Sequence, residues 1–422
     1  MEVRLLEFSV NGLYGLYSHR VVFDQLENIS ILHGPNGVGK TAFLKCIRYI
    51  FAKNFDELLQ IPFESINLAL SSGESFSIQR VIKDGGDKDG EGKKLEITLT
   101  KGSDHYKRVY VPRDTSTLLG WARGGRLHRQ LHFEDDVDGD NKQAVRRHAH
   151  MKIEAALDSV MVRFVETNRL FRPSKERSVT DKDVVILTVQ ECAKDLVAHI
   201  GSAIRSYGAR SQKLDQSFPR RFLSEATVKL SVDELKSRLA GLEKKLKGLR
   251  DINILDADAL NPFDLGSLDS VEQSKIDILS LYVRDSEKKL AGFDSIAARI
   301  KMLLESLRIK FRNKKVLLNR ERGLYIELDS GDEIPLESLS SGEQHELVLM
   351  YELLFKVPSG ALVLIDEPEL SLHVSWQKAF LPELISIAAE VGFSAVVATH
   401  SPFIVGDRHD LMVALDAELD DE

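Results

Sequence analysis

Cysteine is almost missing from this chain: Cys46 and Cys192 are the only two among 422 residues. They sit in unrelated contexts and supply no disulfide framework, no zinc-type CxxC pair and no redox motif, so a reducing cytoplasm suits them. Long apolar runs are lacking too. A stretch such as Ala361 to Ile365, closed by Asp366, falls far short of the roughly 20 residues that a bilayer-spanning helix needs. The opening MEVRLLEFSVNG carries neither the basic nor the apolar region of a signal peptide, so the expectation is a cytoplasmic protein with no membrane partner. Proline is sparse, at 11, while 43% of residues are hydrophobic and 29% charged, which excludes collagen-like and wholly disordered chains. Positive charge is not in excess. With 57 basic and 65 acidic residues the net charge is -8, and any nucleic-acid contact must come from a local basic surface.

What remains is a globular chain long enough for two or three structural units. VRLLEFSV, VVFD and ISILH read as strands, the last running into a glycine-rich loop, and TAFLKCIRYIFA places Phe43, Leu44, Ile47, Ile50 and Phe51 at helical recurrence. INLALSS, SFSIQRVI and KLEITLT alternate as strands, with the polar KDGGDKDGEGKK as a hairpin tip, so a mostly antiparallel lobe is expected. From Trp121 to Lys152 the chain turns basic, with Arg123, Arg126 and Arg129 among seven cations, interrupted by acids from Glu134 to Asp140. That segment reads either as a solvated insertion or as a partner or nucleic-acid surface. MVRFVETNRL, residues 161–170, reads as a further strand.

Residues 183–311 read as mainly helical. Leu235, Leu239, Leu242, Leu246 and Leu249 repeat at intervals of four and three, an a/d seam, and Ser231 with Glu234 forms a capping box at its start. After the breaker NPFDLGS, a second pattern from Ser270 to Phe311 carries Leu290, Phe293, Ile296, Ile300, Leu303 and Leu307. An antiparallel arm is the simplest packing, and helices of a globular subdomain are the alternative. Strands and helices then alternate to the end, which argues for a parallel sheet covered on both faces.

Four short motifs carry chemistry. Gly34-Pro35-Asn36-Gly37-Val38-Gly39-Lys40-Thr41 satisfies GxxxxGK[ST] between an apolar strand and a helix. Its glycines let backbone amides approach phosphate oxygens, Lys40 neutralises the β- and γ-phosphates, and Thr41 can ligate Mg²⁺. ALVLI delivers Asp366 and Glu367 to the carboxyl end of a buried strand, where Asp366 would hold Mg²⁺ through its water shell and Glu367 would orient and deprotonate an attacking water. VVATH ends a second such strand on His400, placed to hydrogen-bond a γ-phosphate. Leu339-Ser340-Ser341-Gly342-Glu343-Gln344 precedes a helix; alone it is a generic N-cap, and its hydroxyls and amides could face an anion.

Taken in order, these motifs resemble the ABC-type ATPase head of the SMC, RecF and OLD families, with Walker A at Gly34 to Thr41, signature at Leu339 to Gln344, Walker B at Leu362 to Glu367 and the switch histidine at His400. The resemblance implies an α/β fold: a P-loop ABC-type ATPase head with an antiparallel β lobe and a short coiled-coil helical insertion. The head would comprise residues 1–182 and 312–422, the insertion 183–311. It implies ATP and Mg²⁺ as cofactors, catalysis through Glu367, His400 and Lys40, metal at Thr41 and Asp366, and ATP contacts from Ser340, Ser341, Gly342 and Glu343. It also implies a homodimer in which one subunit's Ser340 and Gly342 meet the γ-phosphate held by the other. Glu369-Leu370-Ser371-Leu372-His373 resembles the EPE-x-x-LH run of the OLD-like branch, although Ser371 and Val374 replace the usual His and Pro. The Q-loop glutamine is Gln60, or the spacing falls instead on Glu64 or Ser65. Only 22 residues follow His400, too few for the TOPRIM nuclease domain of OLD proteins, and standalone ATPases of anti-phage systems of Septu, retron-linked and PARIS type are similar in this. They imply a separate effector, a nuclease or toxin, with DNA or RNA as a further partner class. A RecF-like DNA-repair ATPase is the rival expectation.

Overall fold

A computed structural model describes residues 3–23, 27–83, 92–112, 140–165, 171–173, 185–224, 230–255, 273–370 and 372–415. The chain opens with strands β1 (Leu5–Leu13), β2 (Tyr17–Val22) and β3 (Ile29–His33), then helices α1 (Lys40–Phe51) and α2 (Phe55–Gln60). Strands β4 (Ser65–Leu70), β5 (Glu74–Lys83), β6 (Gly92–Lys101) and β7 (Asp104–Tyr110) precede helix α3 (Asp140–Asp158) and strand β8 (Val162–Val165). The middle of the chain holds β9 (Phe171–Pro173), β10 (Val185–Leu187), α4 (Thr188–Ser224), α5 (Val232–Asp251), α6 (Gln273–Leu290) and α7 (Asp294–Lys310). It continues through β11 (Lys314–Asn319), β12 (Gly323–Leu328), β13 (Glu333–Ile334) and α8 (Ser341–Tyr351), which ends in a π-helical turn over Glu352–Lys356. The last part is β14 (Leu362–Asp366), α9 (Val374–Val391), β15 (Ser394–Ala398), α10 (Pro402–Val405) and β16 (Met412–Ala414).

Two compact units result, one of residues 1–167 with 357–422, the other of residues 168–356. The boundaries thus fall after Thr167 and Lys356 rather than after residues 182 and 311. Strands β11 to β13 and the signature helix α8 belong with the helices and not with the phosphate loop; the buried pair Lys310–Glu346 ties α8 to α7, and Lys314 of β11 pairs with Glu343.

The first unit is α/β. Its antiparallel sheet runs β2-β1-β4-β5-β6-β7 and its second sheet runs β16-β3-β15-β14-β8, every pair parallel. Parallel strands covered on both faces must be apolar throughout, and Leu362 to Asp366 are buried without a break. Alternation in β4 (buried Ile66, Leu68 and Leu70) marks a sheet with one wet face. Helix α1 fills the space with Phe43, Ile47 and Ile50, all fully buried in one core with Phe8, Phe76, Leu364 and Val396. Each such side chain removed from water contributes about 1.5–3 kcal/mol. The expected α/β unit with an antiparallel lobe is thus present.

In the second unit the capping box at Ser231 and Glu234 is present, and Leu235, Leu239, Leu242 and Leu249 are buried, as the seam predicts. Two departures concern the helical insertion. The run from Ser270 to Phe311 is not one helix but α6 and α7, separated by a 3₁₀ turn at Ala291–Phe293. Nor is the arm confined to two helices: Arg238–Glu287 (3.4 Å) joins α5 to α6, and Lys245 pairs with Asp294 at the start of α7. The antiparallel partner of α6 is α4, through Arg221–Asp285 and Lys289–Asp215, both 2.6 Å. Periodicity marks which face of a helix is buried, not which helix buries it.

The basic residues Arg123, Arg126 and Arg129, the breaker NPFDLGS, most of the hairpin tip, Ser371 and the tail from Asp416 lie outside the described residues.

Candidate nucleotide site

Strands β3, β15 and β14 lie side by side, and the three segments that leave their carboxyl ends carry the phosphate loop, His400 and the Asp366-Glu367 pair. Open parallel sheets bind ligands at that edge. Gly37 and Gly39 have φ of 88° and 97°, a conformation costly for any side chain, and Gly39 is the N-cap of α1. No side chain caps that helix and no acid sits in its first turn, so its amide end is suited to a phosphate.

The Lys40 ammonium donates to the carbonyl oxygens of Gly34 (2.7 Å) and Pro35 (3.0 Å) and to Nδ1 of His400 (3.2 Å). An ammonium can only donate, so Nδ1 must accept and the proton of the neutral imidazole sits on Nε2, 3.9 Å from Oε1 of Glu367. Burial pushes the Lys40 pKa down, against the pull of Glu367, Glu369 and Asp366. Thr41 donates from its hydroxyl to Asp366 Oδ1 at 3.1 Å. Burial raises the Asp366 pKa, opposed by the Thr41 bond and reinforced by Glu367. Two crowded acids beside a hydroxyl favour a cation. Mg²⁺ is commonly held by one or two protein oxygens and the phosphates rather than by a full protein cage, and Thr41 and Asp366 fit that; among the described residues no cluster of three or more metal-ligating side chains occurs. A Mg²⁺ held by these two residues would offset the negative charge of phosphate.

Glu367 points from an unusual backbone, with φ of 45° immediately before Pro368. Its amide donates to the Ala398 carbonyl (2.9 Å), which ties the turn to β15. His400 is fixed from the other side: its amide donates to Glu369 Oε1 at 2.7 Å. Ser401 donates to Gln377 of α9 at 2.7 Å.

Gly37, Gly39, Lys40, Thr41, Glu367 and His400 line a cleft of about 460 Å³ that also exposes Tyr14, Lys45, Tyr49, Glu57 and Gln60. The cleft favours Gln60 among the open alternatives, because Glu64 lies against Gly12 and Ser65 accepts from Asn11 (3.2 Å). Tyr14 was not foreseen. It lies in NGLYGLY, half exposed at 50% and with φ of 56°, and an aromatic face beside a phosphate loop suits a flat heterocycle. A tyrosine between two glycines upstream of the loop was the available signal.

In the second unit, the signature residues form a different arrangement. Ser340 donates from its amide (2.8 Å) and hydroxyl (2.9 Å) to Glu343 Oε2, and Lys314 donates to both Glu343 oxygens at 2.8 Å. Glu343 therefore serves its own helix end rather than facing outward to an anion, while Ser340 and Ser341 remain exposed.

Residues 188–406 match the family described as "AAA domain, putative AbiEii toxin, Type IV TA system". That is just over half of the sequence. The chain belongs to this family. The match takes in the signature, Asp366, Glu367 and His400, and the phosphate loop precedes it. A stretch of 71 residues is 37% identical to UvrABC system protein A of Chlamydia pneumoniae; it takes in 17% of this chain and spans only 4% of that protein. Among solved structures, the Smc head domain of Pyrococcus furiosus, bound to the C-terminal domain of ScpA, aligns over 98% of this chain and 94% of its own, at 13% identity and TM-score 0.36. The SMC head domain of Thermotoga maritima aligns over 97% and 94%, at 11% and 0.34. Among the described residues no helix is long and apolar enough to cross a membrane.

Proposed function

We propose that this member of the AAA-domain family is an ATP-binding and ATP-hydrolysing switch that works as a cytoplasmic homodimer and governs a separate effector, a nuclease or toxin, in bacterial defence against phage. The observation that carries the reading is the meeting of Lys40, Thr41, Glu367 and His400 around one cleft, with Asp366 bonded to Thr41, although the two groups of residues come from opposite ends of the chain. Glu367 takes the proton of the attacking water, Lys40 balances charge on the γ-phosphate, and His400, locked between Lys40 and Glu367, responds to whether that phosphate is present. Ser340, Ser341 and Gly342 of one copy meet the ATP held by the other, and hydrolysis parts the two heads. The OLD-like branch is supported by the Glu369 contact to His400, since that carboxylate belongs to the EPE run. The family's description, which sets a toxin beside the AAA domain, supports an effector-coupled reading.

The test is a pull-down of the tagged chain expressed with its native neighbouring genes, with and without ATP, alongside light scattering of Glu367→Gln. A stoichiometric nuclease or toxin and an ATP-dependent doubling of mass support the proposal. A monomer at saturating ATP overturns the sandwich, and recovery of DNA alone, with turnover stimulated by duplex and suppressed by salt, replaces the effector reading with direct action on DNA.

A further inference from the structure

Beneath the phosphate loop lies a buried histidine that no motif includes. His19, on the edge strand β2, is 3% exposed. Its ring stacks on Tyr17 (centroids 5.8 Å, planes 12° apart) and meets Phe43 of α1 edge-on (6.3 Å, 70°). Nε2 lies 2.7 Å from the carbonyl oxygen of Val38. A carbonyl only accepts, so Nε2 carries the proton, and Nδ1, buried with no hydrogen-bond partner, is the bare nitrogen. Burial pushes the imidazole's pKa down, against the Val38 bond, in keeping with a neutral ring.

The consequence follows from the peptide plane. No cis bond occurs among the described residues, and in a trans peptide the C=O and the following N–H point in opposite directions. A Val38 carbonyl held down onto His19 therefore turns the Gly39 amide up, toward the cleft where phosphate oxygens would lie. Gly39 has no side chain to fix that plane for itself. A β-carbon there would approach Leu13 Cδ2 to 2.8 Å, so the β1–β2 hairpin braces the loop from the same side.

We infer that His19 is a positioning residue for the nucleotide site: its Nε2–H fixes the Val38–Gly39 peptide so that the Gly39 amide is set in advance for a phosphate oxygen. This rests on the nucleotide reading above. Preorganisation of one buried donor acts on affinity and not on the later proton transfer.

The test compares His19→Phe, which keeps an aromatic ring but lacks the donor, with His19→Gln, whose side-chain amide can reach the same carbonyl. ADP affinity by calorimetry and KM and kcat for ATP are measured on the full chain. His19→Phe should weaken ADP binding and raise KM about tenfold, as loss of one buried hydrogen bond implies, with kcat within about twofold. His19→Gln should recover most of that loss. Unchanged affinity in His19→Phe, equal weakening in both variants, or a fall in kcat at constant KM overturns the inference while leaving the nucleotide site intact. A native chain that binds neither ADP nor ATP overturns the nucleotide reading itself. Should His19→Phe fail to fold, the histidine ¹⁵N spectrum of the native chain, with the His19 signals assigned by difference from His19→Gln, decides the matter. A neutral Nε2–H tautomer upholds the inference, and an Nδ1–H tautomer or a freely titrating ring overturns it.

Discussion

Helices α1 and α8 both begin at sequences that could greet an anion, yet their first turns are built in opposite ways. Helix α1 starts at Gly39, with no side-chain cap and no acid. Helix α8 starts at Ser340 with a complete capping box, and Lys314 pins the same Glu343 carboxylate. An uncapped helix end leaves about four amides without partners, a cost that a phosphate can offset, whereas a capped end is already satisfied from within. The first turn of α1 is thus left open to an anion, while that of α8 is satisfied from within. Helix α5, with Ser231 and Glu234, repeats the α8 cap where no site is expected. A cap of this kind therefore does not by itself mark function.

The comparison is broken most severely at the ligand-facing end. Glu367→Gln should lower kcat by about 10²- to 10⁴-fold, the usual contribution of a positioned base, while ADP affinity stays within about threefold; phosphate release at saturating ATP and calorimetry report the two. Lys40→Ala should cost about 100-fold in ATP affinity, since it removes a charge-assisted donor to the phosphates, and a titration with retained tight binding would end the phosphate-loop assignment. At the self-satisfied end, Glu343→Gln should lower unfolding free energy by about 1–2 kcal/mol at neutral pH. Burial raises the Glu343 pKa, but the Lys314 bond and those from Ser340 outweigh it and leave it below its ordinary value of 4.5. A depressed carboxyl stabilises the fold above that ordinary value and ceases to as pH falls through the folded value. Urea melts should therefore show the gap between native chain and Glu343→Gln closing below about pH 4.5. The smallest effect belongs to Ser231→Ala, about 1 kcal/mol of stability with turnover unchanged; altered turnover would mean that α5 does communicate with the ATPase.

That the phosphate loop, Asp366, Glu367 and His400 would lie together was legible because each motif is written along one strand and the turn after it. Local order sufficed. The inward turn of Glu343 follows a pattern the sequence carries: Ser-x-x-Glu before an apolar run identifies the cap at Ser231, and it operates in the same way at Ser340. The pairing of α6 with α4 was not legible, since leucine periodicity is blind to direction and the deciding contacts, Arg221 with Asp285 and Lys289 with Asp215, are between separate helices. His19 was invisible for a related cause. A lone histidine in YSHRVV gains meaning only when β2 lays it under Val38.

The left-handed backbone at Glu367 sets a conflict between endurance and work. A branched or long side chain in that region, and ahead of proline, carries strain of order 1–3 kcal/mol that glycine would escape. Libraries of this protein sorted for heat resistance alone should accordingly enrich Glu367→Gly, and those survivors should melt higher than the native chain while releasing no phosphate from ATP. The turn that carries the proposed base is thus a place where activity and robustness pull in opposite directions.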